Sequence, residues 1–216
     1  MTKHIRDAFG LALIVFAASS CGNSGDNNKG ATCTMPAACG GTLDGTWQLD
    51  SLCIQGDLVA GENGNSGLPA ACNTLYQSAS YVASGTVTYA NGTQTSNVTK
   101  TTSTEALYRQ ACVTAIFGVS ATLDASMCTS LQQSNIDSGR YTSVSCAYSS
   151  EGCRCELTSQ STDTSALSYT ISGNRIVFTN GDPPLDYCVS GATMTFSVAY
   201  ITPQGTITSV STLHHL

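Results

Sequence analysis

The chain has 216 residues, a net charge of −6 at pH 7 and only 10% charged residues, against about 25% in typical globular domains. Its few lysines and arginines are scattered, so the composition excludes the clustered positive surface that nucleic-acid binding requires. The low charge and the abundance of Ser, Thr, Gly and Asn favour an exported β-rich protein. The length suffices for one domain with a hydrophobic core.

The start of the chain has the organisation of an export signal, and we predict a signal peptide over residues 1–20. Lys3 and Arg6 form a charged start, residues 8–18 form an apolar run, and two serines precede Cys21. The apolar run is 11 residues long, whereas a helix that spans a bilayer needs about 20. A retained transmembrane helix is therefore not expected.

Residues 16–21, which read FAASSC, resemble the lipobox of bacterial lipoproteins, with Ala18 where that family usually has Leu, Val or Ile. The resemblance implies cleavage before Cys21, acyl chains such as palmitate on this cysteine, and firm attachment to a membrane. The following Gly22 and Asn23 imply a lipid-anchored protein of the bacterial cell envelope, sorted to the outer membrane. An ordinary cleaved signal with an incidental cysteine is the alternative.

Residues 21–34 are predicted to be a flexible tether, because Gly, Asn, Ser and Asp dominate and no hydrophobic period is present. The folded domain is then expected over residues 35–216. Cys33 and Cys39 flank a short loop at its beginning. They either bond to each other or fasten this loop to the domain.

The first half of the domain shows β patterns. A short apolar strand is expected around Leu49 and Leu52, and the Gly- and Asn-rich residues 56–69 indicate a long loop. Residues 81–89 alternate between apolar and polar types, an Asn-Gly pair follows, and the Thr-rich residues 93–103 form the return strand. Because Asn-Gly is the strongest short turn signal, this segment predicts a β-hairpin.

Helical and then β patterns fill the second half. Apolar residues spaced by four over residues 105–117 and 122–131 predict one or two short helices whose apolar positions are core contacts. Beyond them, alternating apolar residues and Gly- or Asn-containing turns predict a hairpin over residues 141–158 and further strands over residues 167–210. This makes about eight strands, and sequential hairpins with one apolar face close into an up-and-down barrel or a sandwich.

The G-x-W motif of lipocalin-like proteins is matched by Gly45 and Trp47, and residues 169–191 are similar to the end of bacterial lipocalin-like lipoproteins. The resemblance implies a mainly β, lipocalin-like antiparallel up-and-down barrel, with Gly45 and Trp47 as a structural motif at its base. Lipocalins carry an arginine after the last strand that packs on this tryptophan, and here only His214 and His215 are basic at that place. The resemblance also implies a small hydrophobic ligand inside the barrel.

An exported domain rich in cysteine is expected to be held by disulfides. Setting Cys21 aside leaves an even number of cysteines, which suits five bridges. Cys153 and Cys155 lie two positions apart, so on a strand they point to one face and take different partners. Cys146, across a predicted turn at residues 149–152, is a reasonable partner for one of them. The candidates are Cys33, Cys39, Cys53, Cys72, Cys112, Cys128, Cys146, Cys153, Cys155 and Cys188.

Neither a catalytic site nor a metal site is predicted. A nucleophile–histidine arrangement needs a histidine, and the predicted mature chain has only His214 and His215, which are expected on the surface or in a frayed tail. No C-x-x-C occurs and the body of the domain has no histidine, so no metal or other cofactor is expected. The neighbouring carboxylates lie in or beside turns, where solvation is the ordinary explanation; they are Glu151 with Glu156 and Asp182 with Asp186.

Two functions of different classes remain open. The first is an envelope lipoprotein whose barrel binds a small hydrophobic ligand. The second is a surface structural or protein-interaction module with a filled barrel and its function on the loops. The long loop over residues 56–69 and the disulfide-rich middle favour the second function, while the family resemblance favours the first. An enzyme is not expected.

Overall fold

Strands dominate the computed structural model, which describes residues 33–34, 37–65, 67–202 and 205–216. The predicted signal peptide, Cys21 and most of the predicted tether lie outside the described residues. Ten strands and three α-helices follow one another within the described part, with a short 3-10 helix at Ala70–Cys72. They are β1 Gly45–Gln55, α1 Leu58–Asn65, β2 Tyr76–Ala90, β3 Thr93–Tyr108, α2 Gln110–Phe117, α3 Ala125–Asp137, β4 Ser143–Ser149, β5 Gly152–Asp163, β6 Ala166–Ser172, β7 Arg175–Phe178, β8 Leu185–Ser190, β9 Thr193–Thr202 and β10 Gly205–His215.

Eight strands are hydrogen-bonded into an antiparallel ring in the order β1, β10, β9, β8, β7, β6, β3 and β2, with β2 returning to β1. Strands β5 and β6 both pair with β3 in one continuous register. Between them Ser96 N donates to Ser165 O at 2.8 Å, so residues 152–172 act as one long strand along β3. The predicted mainly β, antiparallel and disulfide-rich fold is confirmed.

The predicted hairpin around Asn91 and Gly92 is present, and both residues have positive φ, at 52° and 72°. Its strands β2 and β3 are 15 and 16 residues long, longer than expected. At Gly85, φ is 136° and a Cβ would clash with Asn97 O and lie 2.8 Å from Val98 Cα. Glycine therefore permits the close approach of the two strands at this point. The part of the hairpin next to the turn belongs to the ring, and the rest pairs with β5.

Two clusters of buried residues share these strands. The first lines the inward face of the ring and consists of Leu43, Trp47, Leu49, Leu52, Val87, Tyr89, Val98, Ile176, Phe178, Leu185, Tyr187, Met194, Phe196, Val198 and Leu213. The second lies outside the ring, where α3 packs against β4 and β5 and α2 packs against the 3-10 helix beside the end of β3. We call α2, α3, β4, β5 and the end of β3 the outer layer. Its buried residues are Cys72, Leu75, Ala106, Tyr108, Cys112, Val113, Cys128, Leu131, Cys153, Cys155 and Leu157.

The loop expected over residues 56–69 contains a helix, α1. Its Gly- and Asn-rich sequence has a low intrinsic helix propensity, and contacts outside the helix override that propensity. At its start Asp57 Oδ1 accepts from Ala60 N at 2.8 Å. The Asn63 side chain donates to Tyr76 O at 3.0 Å and accepts from Tyr76 N at 2.9 Å, which fastens α1 to the beginning of β2.

The helix expected over residues 105–117 begins later. Residues 105–108 extend β3 because they continue its pairing with β5, and α2 begins at Gln110. The buried residues of α2 are Cys112 and Val113, which differ from the predicted apolar spacing because the disulfide of Cys112 determines which face is buried. The second predicted helix is confirmed as α3. In the described part of the chain, no helix has both the length and the apolar character needed to cross a membrane.

Five disulfides connect the ten cysteines of the described residues, as predicted. Cys33 and Cys39 do not bond to each other, so the segment before β1 is fastened to the ring at two places. The buried Cys33, which the sequence placed in the tether, belongs covalently to the folded domain. Cys153 and Cys155 have different partners, and Cys146 is one of them, as expected. The bridges are Cys33–Cys53, Cys39–Cys188, Cys72–Cys112, Cys128–Cys153 and Cys146–Cys155.

Candidate functional site

One end of the ring is built around Trp47. We call this end the base; β1 begins there, β10 ends there, and the Asn-Gly turn of the hairpin lies there. The Trp47 side chain is 1% exposed, and its indole N–H donates to Leu43 O at 2.7 Å. The end of the chain is held alongside, because Leu216 N donates to Thr46 O at 2.9 Å. Trp47 is therefore a structural residue of the base.

His215 covers the Trp47 indole, and the two rings meet edge to face with centroids 4.8 Å apart, a favourable aromatic geometry. Gly45 makes room for this contact, since its φ is 131° and a Cβ there would clash with His215 Nε2. His214 Nδ1 hydrogen-bonds Asp50 Oδ1 at 2.6 Å. Both histidines lie in β10 and reach the surface, so the expected surface position is correct and the expected frayed tail is wrong.

The inward face of the ring is predominantly apolar. Strand β9 contributes Met194, Phe196 and Val198, each no more than 3% exposed. In β1 a register shift after Leu49 changes the alternation, so that both Leu49 and Leu52 point inward. Such a lining suits an apolar molecule, and it also suits direct packing of the side chains against one another.

One wall of this apolar interior is polar. Tyr89 and Gln94 are directly opposite each other in the β2–β3 pair, and both are 0% exposed. The Tyr89 hydroxyl and Gln94 Oε1 have no hydrogen-bond partner among the described residues, and neither has Ser165 Oγ. Ser165 faces Ser96 across the neighbouring strand pair, and Gln94 Nε2 donates to Ser96 Oγ at 3.1 Å. We call Tyr89, Gln94, Ser96 and Ser165 the polar patch.

The polar patch is neutral. Burial, with the neighbouring Tyr169 as a smaller cause, raises the pKa of Tyr89 far above its ordinary value of about 10, so this hydroxyl stays a protonated donor. The Tyr169 ring stands edge to face with that of Tyr89 at 5.4 Å between centroids. The buried polar residues of the described part include no charged side chain; they are Gln94, Ser96, Ser197, Ser209 and Ser211.

The four carboxylates singled out in the sequence do not form acid–base pairs. Glu151 forms an ion pair with Arg154 at 3.1 Å, and Asp186 forms one with Arg175 at 2.7 Å. The side chains of these two ion pairs, two acidic and two basic, are between 42% and 68% exposed, as expected for solvated surface charges. The other two carboxylates lie outside the ring interior: Glu156, exposed on β5, and Asp182, in the loop before β8.

Three sulfur atoms of the outer layer approach one another. Those of Cys146, Cys153 and Cys155 lie within 4.8 Å of each other, a spacing that would allow metal ligation by thiolates. All three are in disulfides, and a disulfide sulfur is not the thiolate that binds metals. The two disulfides link α3 and β4 covalently to β5.

No protein-family model, curated protein or solved structure shows a match to this chain. The ring, its interior and its disulfides are therefore the observations from which a function can be proposed.

The polar patch was not identified from the sequence, although a signal for it exists. The alternation over residues 81–89 places Tyr89 on the face of Val87. The two-residue turn then puts Gln94 directly opposite Tyr89. Following this alternation into the Thr-rich return strand identifies Gln94 and Ser96 as inward polar residues.

Proposed function

We propose that this protein is a lipid-anchored lipoprotein of the bacterial cell envelope whose ring is a lipocalin-like up-and-down barrel that binds a small hydrophobic molecule. The observation that carries the proposal is the antiparallel ring of eight strands with a predominantly apolar inward face. An eight-stranded barrel is wide enough to hold one small ligand. The proposed function is binding, without a catalytic step.

Contacts at the base support the lipocalin-like part of the proposal. His215 packs on Trp47 from the end of the last strand, where the family resemblance calls for an arginine. Gly45 leaves room for that ring, which gives the G-x-W spacing a physical reason in this chain.

The cysteine count supports the proposed anchor. The chain has 11 cysteines, and five bridges use ten of them. Cys21 is the remaining one, which leaves its sulfur for acylation. The five bridges also fit an oxidising compartment outside the cytoplasm.

Acyl labelling and membrane fractionation in the native bacterium test the anchor. We expect the wild-type protein to incorporate labelled fatty acid and to sediment with membranes. Cys21→Ala should lose the label and move to the soluble fraction, whereas Cys146→Ala combined with Cys155→Ala should keep the label. An unlabelled wild-type protein would establish the ordinary signal peptide instead.

Native mass spectrometry of the mature protein, purified from its own envelope, tests the ligand. We expect a stoichiometric hydrophobic adduct that organic extraction releases and identifies. An empty, tightly folded protein would contradict ligand binding.

A second function, a protein-interaction module with a filled barrel, is favoured by exposed apolar residues at the end of α2 and just after it. Phe117 is 49% exposed and Val119 is 95% exposed. If this function is correct, the purified protein carries a protein partner and no small molecule. Replacing both residues by serine should then abolish capture of that partner.

A further inference from the structure

We infer that the polar patch recognises a neutral hydroxyl group of the bound molecule, so that the ligand is a hydroxyl-bearing apolar compound. This inference rests on the proposed binding function and adds the chemical class of the ligand. It assigns Tyr89 and Gln94 as the residues that select it.

The unpartnered atoms are concentrated on one wall. Buried polar atoms in folded proteins are nearly always hydrogen-bonded. In the described residues, four buried side-chain atoms have no partner, and three of them belong to Tyr89, Gln94 and Ser165. These residues occupy neighbouring inward positions on β2, β3 and the junction of β5 with β6. Such a concentration points to one shared partner in the interior.

The chemistry of the two fully buried members defines that partner. The Tyr89 hydroxyl is a donor, and Gln94 Oε1 is an acceptor. A ligand hydroxyl accepts from the first and donates to the second, and it satisfies both atoms at once. An ether or a ketone can only accept, so it would leave Gln94 Oε1 unpaired.

Charge on this face also favours a neutral group. Beside the Tyr89 ring, the pKa of Tyr169 is raised by burial and, to a smaller extent, by the negative charge of Asp44. Two further charged residues, Lys100 and Asp163, lie two positions and one strand away from Val98 on the same face. Their charges have opposite signs. Burial lowers the pKa of Lys100, and the Asp163 carboxylate partly offsets this lowering. The Asp163 carboxylate also accepts from Ser165 N at 2.9 Å. An anionic head group would therefore meet two charges that already neutralise each other. Its own charge would be buried without a counterion, which is unfavourable.

Competition against a neutral fluorescent apolar probe tests the inference on the mature protein after delipidation. The competitors have the same chain and different head groups: 1-decanol, decyl methyl ether and decanoate at neutral pH. We expect decanol to bind about tenfold more tightly than the ether, the change expected for one recovered hydrogen bond, and decanoate to bind most weakly.

Variants assign the selectivity to the patch. Gln94→Met should reduce the preference for decanol over the ether to about onefold to threefold while leaving ether binding unchanged. Tyr89→Phe should instead weaken decanol and the ether alike, by about tenfold, because both accept a hydrogen bond from its hydroxyl. Ser211→Ala is the matched control, because it removes the fourth unpartnered buried atom, which lies on β10 outside the patch. It should leave the preference intact.

A melting curve without ligand separates recognition from a structural role. Because the Tyr89 hydroxyl has no hydrogen-bond partner in the part of the chain that the structure describes, Tyr89→Phe should melt at the same or a higher temperature than the wild type. A clear decrease would assign the hydroxyl to the fold, with bound water as its partner, and would overturn the inference.

The competition outcomes are distinguishable. If none of the three competitors displaces the probe, the proposed binding function itself fails. If decanol and the ether bind equally, the barrel still binds apolar molecules and only the inference fails. If decanoate binds best and Lys100→Met removes that binding, the ligand is an anion and the patch is not its recognition site.

Discussion

At the residue scale, two glycines illustrate what sequence can and cannot reveal. Gly45 belongs to a recognisable motif, and its lack of a side chain leaves space for His215 beside Trp47. Gly85 lies in the alternation of β2 as an ordinary inward position. Its importance comes from Asn97, a residue on the adjacent strand, so only the strand register reveals it.

Gly85→Ala should destabilise the protein by at least about 2 kcal/mol, because it combines a strained φ with a backbone clash. Gly191→Ala is the matched control. Its φ is 60° and nothing lies within 4 Å of an added Cβ, so about 1 kcal/mol is expected from the conformation alone. Urea unfolding followed by the fluorescence of Trp47 measures both. Equal losses would show that the clash at Gly85 relaxes without a free-energy penalty.

At the element scale, most types of element were predictable, but helix α1 and the limits of several other elements were not. The hairpin, the second helix and the later strands follow from local alternation, spacing by four and turn residues, which are properties of neighbouring positions. Helix α1 and the extension of β3 through residues 105–108 depend instead on contacts with β2 and β5. Those contacts override the local propensity of these residues. The contacting residues lie elsewhere in the chain, so the local sequence does not show them.

Asp124 caps helix α3, and its side chain accepts from Met127 N at 2.8 Å. Asp124→Ala should therefore lower the free energy of unfolding by about 1 kcal/mol. Asp137→Ala, at the opposite end of the same helix, is the control. A carboxylate there is unfavourably placed in the helix dipole, and the exposed hydrogen bond that it accepts from Gln133 Nε2 at 2.8 Å contributes only a few tenths of a kcal/mol, so this change should be close to neutral. The midpoints of urea unfolding compare the two, and a larger loss from Asp137→Ala would contradict the capping role.

At the scale of the whole molecule, disulfides reinforce the outer layer and fasten the segment before β1 to the ring. Three bridges lie within the outer layer or join the 3-10 helix to it. They are Cys72–Cys112, Cys128–Cys153 and Cys146–Cys155. The other two fasten residues 33–39 to strands of the ring. With only 10% charged residues, the domain thus relies more on covalent restraints than on surface ion pairs.

The two bridges of the leading segment should differ in their contribution to stability. Cys39–Cys188 closes a separation of 149 residues and Cys33–Cys53 one of 20. Because a longer closed loop restricts the unfolded chain more, replacing both cysteines of Cys39–Cys188 by alanine should cost about 1–2 kcal/mol more than the same change at Cys33–Cys53. Urea unfolding of the two double variants under oxidising conditions measures this difference. The reverse order would mean that native contacts outweigh chain entropy here.

The sequence by itself determined the class of the molecule: mainly β, antiparallel and stapled by five disulfides, with Cys153 and Cys155 in different bridges. These features follow from local periodicity, turn chemistry and the number of cysteines. The tertiary structure decided the closure of the ring, the pairing of Cys39 with Cys188, the contact of His215 with Trp47, and the polar patch. The physical reason is that each of these depends on groups brought together from separate strands. Alternation along a hairpin identifies inward residues, but it does not show which distant strands close the ring or which buried atoms lack a partner.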